Sequence, residues 1–196
     1  MQAARGTSLS HDDSSLVDRD DAPSPARVRL LLGGVFVLLY AADQGTKWLA
    51  VDRLTGQPDH ELVGDLLVLH LTRNAGAAFS TGTGYTGLFS CLAIGAVLVV
   101  LWLGRRVRSA VWAVAFGLLL AGIAGNLTDR ILREPGPLRG HVVDFLMLPN
   151  WPVFNVADMC INVAAALILV QAFRGVRLDG TRIERRNDDQ PGTPQS

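Results

Sequence analysis

The sequence predicts an all-α membrane protein, with four transmembrane helices and a small β-rich outer-surface element between helices 1 and 2. Three observations point there. Of 196 residues, 49% are hydrophobic and only 18% are charged. The apolar residues gather into four runs, each able to supply the about 20 residues that a helix rising roughly 1.5 Å per residue needs to cross a bilayer. The runs do not alternate, and lipid tolerates only helices or closed barrels, so a sheet cannot account for them.

The first span, about residues 28–50, follows Arg27 and Arg29 and reads LLLGGVFVLLYAADQGTKWLA. Its opening part ends Leu-Tyr-Ala-Ala and invites comparison with a cleaved signal peptide. The region upstream is acidic, however, and Asp43, Thr46 and Lys47 extend the helical pattern, so a retained span is expected. The link that follows contains ELVGDLLVLHLTRNAGAAFS, where Leu67, Leu69 and Leu71 alternate with Val68, His70 and Thr72. Both faces are partly apolar, which fits a short sheet lying on the membrane surface. The second span covers about 85–104, the third 109–130 and the fourth 153–173. These four spans form a membrane domain over 27–175. Residues 1–26, with Asp12, Asp13, Asp18, Asp20 and Asp21 among Ser, Ala and Pro, and residues 176–196 are too polar to offset their ordering entropy, so both are expected as disordered tails.

Arginines set the orientation. Arg27 and Arg29 precede the first span, Arg105, Arg106 and Arg108 fill the link between the second and third, and Arg174, Arg177, Arg182, Arg185 and Arg186 follow the fourth. The positive-inside rule places both termini and the middle link in the cytoplasm, and the two longer links outside. Trp48, Trp102, Trp112 and Trp151 lie near span ends, where interfacial aromatics belong.

Several classes of function are excluded or disfavoured. Lys plus Arg and Asp plus Glu number 18 each, a balance that argues against nucleic acid as a partner. Cys91 and Cys160 sit inside apolar runs and read as small buried hydrophobes rather than disulfide or zinc ligands. His11, His60, His70 and His141 lack metal-ligand spacing, and there is no G-x-S-x-G elbow. No metal or cofactor is expected, and nothing requires more than a monomer.

A charged side chain inside a bilayer costs at least about 2.5 to 3.5 kcal/mol, so each one needs a reason. Asp43 and Lys47, four apart, share a helix face and either neutralise each other or support a substrate site. Asn126, Asp129 and Arg130 also share a face, and form either a polar helix end with Arg130 snorkelling to lipid phosphates or a functional cluster. Gly122 and Gly125 before them permit close helix approach. Asn155, Asp158 and Asn162 make a polar stripe on the fourth span. Asp144, in RGHVVDFLML, has no Lys or Arg within four residues, although His141 is three away. Asp158 likewise has no cation within helical reach. Two such carboxylates are tolerated if they come together and share a proton, as in an aspartic protease dyad. Spacing alone does not bring them together.

Five blocks resemble, in order and in placement against four spans, those of the lipoprotein signal peptidase (signal peptidase II) family of bacterial integral-membrane aspartic proteases. They are DQGTK (43–47), TRNAGAAFS (72–80), GNLTDR (125–130), VVDF (142–145) and FNVAD (154–158). The resemblance covers roughly 28–174 and implies that Asp144 and Asp158 are the catalytic pair. It implies that Asn74, Asn126, Arg130 and Asn155 line the substrate site or steady the pair, with Asp43, Lys47 and Asp129 in support. The implied partners are membrane lipid and a prolipoprotein whose cysteine bears a diacylglyceryl group, cut just before that cysteine. The implied location is the bacterial cytoplasmic (inner) membrane, with the site near the outer face. NAGAAFS, rich in small residues, suits close approach of a substrate backbone. A small proton or ion transporter would also place aspartates in membrane helices, but it predicts internal repeats or broken helices that the sequence lacks. A scaffold with polar stripes as helix glue is the other rival.

Overall fold

The computed structural model describes residues 24–76 and 86–182. Its elements are helix α1 (Pro25–Leu54), strands β1 (His60–Val63) and β2 (Leu67–Asn74), helices α2 (Thr86–Gly104) and α3 (Ala110–Leu132), strand β3 (Val142–Met147) and helix α4 (Val156–Phe173). All four helices are long and apolar enough to cross a membrane. The chain is a multi-pass membrane protein, mostly helical, with one small sheet between spans, as the composition predicted.

Helix α1 starts earlier and ends later than expected. Pro25 occupies its first turn, where a missing N–H costs nothing, and the Ser24 side chain accepts from Arg27 N. Helix α3 is central and packs against the other three helices. Over half of its most apolar window, 56%, is buried inside the protein, against 6% for α1, 11% for α2 and 22% for α4. Small residues make this possible. A Cβ at Gly122 would stand 2.5 Å from the Ala157 carbonyl oxygen of α4, and one at Gly125 would stand 2.5 Å from Asp43 Oδ2 of α1. Both glycines therefore bring their neighbours closer than any side chain would permit.

The sheet has order β1-β2-β3, antiparallel throughout. β3 was not foreseen as a strand. VVDFLM pairs with β2, Thr72 opposite Asp144 and Asn74 opposite Val142. One face carries Val143 and Phe145 onto Ala50 and Leu54 at the end of α1. The other carries Asp144. After β3 the chain turns back at once: Leu146 and Phe154 exchange backbone hydrogen bonds of 2.9 Å each. That closure delivers Asn155 and the start of α4 beside the strand.

Three expectations need correction. Cys91 is exposed rather than buried, whereas Cys160 is buried. Trp112 is not an interfacial side chain: it is 7% exposed, meets Phe116 edge-on and donates from Nε1 to the Val176 carbonyl. Trp48, Trp102 and Trp151 are exposed. Residues 176–182, placed in a tail, fold back instead. Val176 pairs with Arg182, Leu178 O accepts from Arg108 N, and both apolar side chains pack on the core around Trp112. The remaining tail residues, Ala77 to Ser80 of the NAGAAFS block and Tyr85 at the expected start of the second span lie outside the described residues.

Candidate active site

Asp144 and Asp158, fourteen residues apart in sequence, line one cavity of about 380 Å³ with Asn74, Asn126, Arg130 and Asn162. Asp144 comes from the middle of β3. It is 2% exposed, and its two oxygens accept from Asn155 Nδ2 at 2.6 Å and from Asn74 Nδ2 at 3.1 Å. Asn74 reaches it because residues two apart on an antiparallel pair share a face. His141 is not among its donors.

Asp158 is fixed by the start of α4. Asn155 caps the helix: its side chain accepts from Asp158 N, and Asp158 Oδ2 accepts from Asn155 N, a reciprocal capping box. Asp158 Oδ1 accepts from Asn126 Nδ2 at 2.8 Å. Asn126 and Asn155 then join the two carboxylates, because Asn155 Nδ2 also donates to Asn126 Oδ1 at 3.1 Å. Asn155 is fully buried and serves both acids at once. Burial, with the Asp158 carboxylate adding to it, pushes the Asp144 carboxyl up to about 7.

Behind the pair lies a buried ionic group. Lys47 Nζ stands 3.0 Å from Asp43 Oδ2, 3.0 Å from Asp129 Oδ2 and 2.9 Å from Asn126 Oδ1. The sequence paired Asp43 with Lys47, and they are paired; the second carboxylate comes from packing. Asp129 neighbours Arg130 in sequence but does not pair with it. Besides Lys47, it binds Arg133, Nε to Oδ1 at 2.5 Å, at the i+4 spacing that brings side chains together along a helix. Arg130 turns the other way into the cavity, with Nη1 on the Asn126 carbonyl at 3.4 Å. Arg133 and Gln44 are the polar partners the sequence reading passed over. Gln44 Nε2 reaches Asp43 and the Gly125 carbonyl. Their positions beside named acids on the same helices were the available signal.

Comparisons with known proteins show the family and the fold. The family model described as Signal peptidase (SPase) II matches residues 35–174. A lipoprotein signal peptidase of Mycolicibacterium smegmatis is 47% identical over 174 residues, 86% of this chain and 73% of that one. That of Mycobacterium avium is 48% identical over 165 residues, covering 84% and 90%. Two solved bacterial membrane enzymes share the fold. One has a TM-score of 0.65 at 23% identity, covering 86% of this chain and 95% of its own. The other has a TM-score of 0.62 at 25% identity, covering 76% and 94%. Four helices able to span a membrane, together with these relatives, define a multi-pass membrane peptidase. Within that class, the chain belongs to the signal peptidase II family.

Proposed function

We propose that this protein removes the signal peptide from diacylglyceryl-modified prolipoproteins, cutting the peptide bond before the lipid-bearing cysteine with a water held between Asp144 and Asp158. The observation that carries this reading is the bridging of the two acids, from β3 and α4, by Asn126 and Asn155 in one cavity. Amide hydrolysis needs one group to deprotonate water and another to protonate the carbonyl oxygen, and a pair holding one proton supplies both.

With Asp144 as the proton holder, Asp158 accepts a proton from water as the oxygen attacks the scissile carbonyl carbon. Asp144 gives its proton to the carbonyl oxygen, which leaves a neutral tetrahedral diol. The C–N bond then breaks as Asp158 passes its proton to the departing cysteine nitrogen, and Asp144 recovers a proton from a diol hydroxyl. Asn74 and Asn155 orient Asp144, and Asn126 orients Asp158. Arg130 is the cavity's cation and suits a substrate carbonyl or a lipid phosphate. Asp43, Lys47 and Asp129 hold the surrounding elements.

The reading places the protein in the bacterial cytoplasmic membrane, termini inside and cavity near the outer face, on the distribution of arginines. A substrate diffusing in the bilayer then enters sideways. Residues 27–175, with the packed turn to 182, form the working unit, which needs no second copy and no nucleic acid. The test is cleavage of a lipid-modified peptide by Asp144→Asn and Asp158→Asn, each purified and shown to be folded. Both should lose turnover by several orders of magnitude. Near wild-type turnover in either defeats the assignment.

A further inference from the structure

Asn162 belongs to the polar stripe of α4 and none of the steps above uses it. It lies one turn beyond Asp158, about 6 Å further from the sheet and toward the bilayer centre. Its side chain is exposed, yet it lines the same cavity as both acids. Nδ2 donates one proton to the Asp158 carbonyl at 2.9 Å. Among the described residues nothing donates to Oδ1. An exposed amide on a membrane helix is costly, and this one lines the cleft that holds both acids while its acceptor goes unused.

Resting on the proposed activity, we infer that Asn162 is a substrate-binding residue for the signal-peptide main chain just before the scissile bond. A signal peptide held as a helix hides its peptide bonds. To present one to the two acids, the last turn before the cut must unwind, and each unwound N–H and C=O then lacks a partner where water is scarce. The side of the substrate that precedes the cut is the membrane-embedded side, so it passes the deeper wall of the cavity. Asn162 stands there with an acceptor for an N–H and a second amide proton for a carbonyl. The lipid does not substitute for the peptide as its partner. A diacylglyceryl thioether carries ester carbonyls but no hydrogen-bond donor, so it offers Oδ1 nothing, whereas a main-chain N–H does.

The test is a set of lipid-modified peptides in which each of the three amide links preceding the scissile bond is replaced singly by an ester, exchanging N–H for oxygen. With the wild-type enzyme, one replacement should lower kcat/KM about 3- to 10-fold, the range of one hydrogen bond. Asn162→Leu should lose a similar factor on the all-amide peptide and show no further loss with that ester. Asn162→Ser, shorter but still an acceptor, should fall between. The inference is overturned if no ester is penalised, if Asn162→Leu cleaves as wild type does, or if the ester penalty persists in Asn162→Leu. Cleavage of the all-amide peptide by wild type and its loss in Asp158→Asn report on the underlying activity separately.

Discussion

Asp43 and Asp129, from different helices, meet on the ammonium of Lys47 at 3.0 Å each, and each spends its other hydrogen-bonding capacity in a parallel way. Asp43 accepts from the backbone N–H of Ala157, the residue before Asp158. Asp129 accepts from the backbone N–H of Val143, the residue before Asp144. One buried cation therefore links the two peptide units that carry the proposed pair, and a third bond orients the amide between them.

Replacing Lys47 by Met should leave these carboxylates buried with less compensation. A loss of about 3 to 5 kcal/mol is expected for breaking a buried ionic contact of this kind. Thermal unfolding in detergent micelles measures it. A Lys47→Met protein as stable as wild type would contradict the linkage.

Stability should also depend on pH through Asp144. Its ordinary pKa of 3.8 applies in the unfolded chain, and in the fold burial pushes it up to about 7. Below about pH 4 both states hold the proton and the fold bears no cost. Between about 4 and 7 the unfolded chain ionises first, so stability falls as pH rises, and above 7 the cost is complete. Asp144→Asn removes this slope. Its stability relative to wild type should rise from pH 4 to pH 8 by on the order of a few kcal/mol, read as a growing difference in melting temperature. A constant difference across that range would rule the linkage out.

Catalysis should decline on the alkaline side of about pH 7, as the pair loses its remaining proton. That limb belongs to the pair as a unit. A pH profile of kcat/KM that stays flat to pH 9 would exclude the shared-proton mechanism.

Gly122→Ala should force α3 and α4 apart, since the new methyl would stand 2.5 Å from backbone oxygen rather than from a movable side chain. A loss of about 1 to 3 kcal/mol is expected from overpacking. Activity should fall with it, because α4 carries Asp158. Gly95→Ala on α2 meets nothing within 4 Å and serves as the control, with wild-type stability.

The lipid on the substrate should matter. Burial is worth roughly 0.8 kcal/mol per CH₂, so a peptide with an unmodified cysteine should be cleaved far less well at equal concentration. Equal kcat/KM for both peptides would remove lipid recognition from the proposed activity.

What the sequence made legible follows from what each signal reports. Hydropathy and length revealed the spans because lipid imposes both. They did not show that α3 is the central helix, since lipid and protein select alike for apolar residues; only its small residues, Ala113, Ala115, Gly117, Ala121, Gly122 and Gly125 among them, hinted at it. β2 was visible through its alternation. β3 was not, because burial on both faces makes VVDFLM a plain apolar run that a helix or a strand accepts equally. Of the site, both acids were singled out for lacking local cations. Their meeting depends on the Leu146–Phe154 closure and the β2–β3 register, which are set by backbone pairing across distant segments.

That register has a consequence for the life of the chain in the bilayer. Side chains alternate along β3, so a slip of one residue would turn Asp144 away from the cleft and toward the end of α1. The two acids share one cavity, joined through Asn126 and Asn155, only with β2, β3 and α4 docked. On the proposed activity, a half-assembled chain therefore has no complete site: the cavity that holds both acids exists only with these elements packed together.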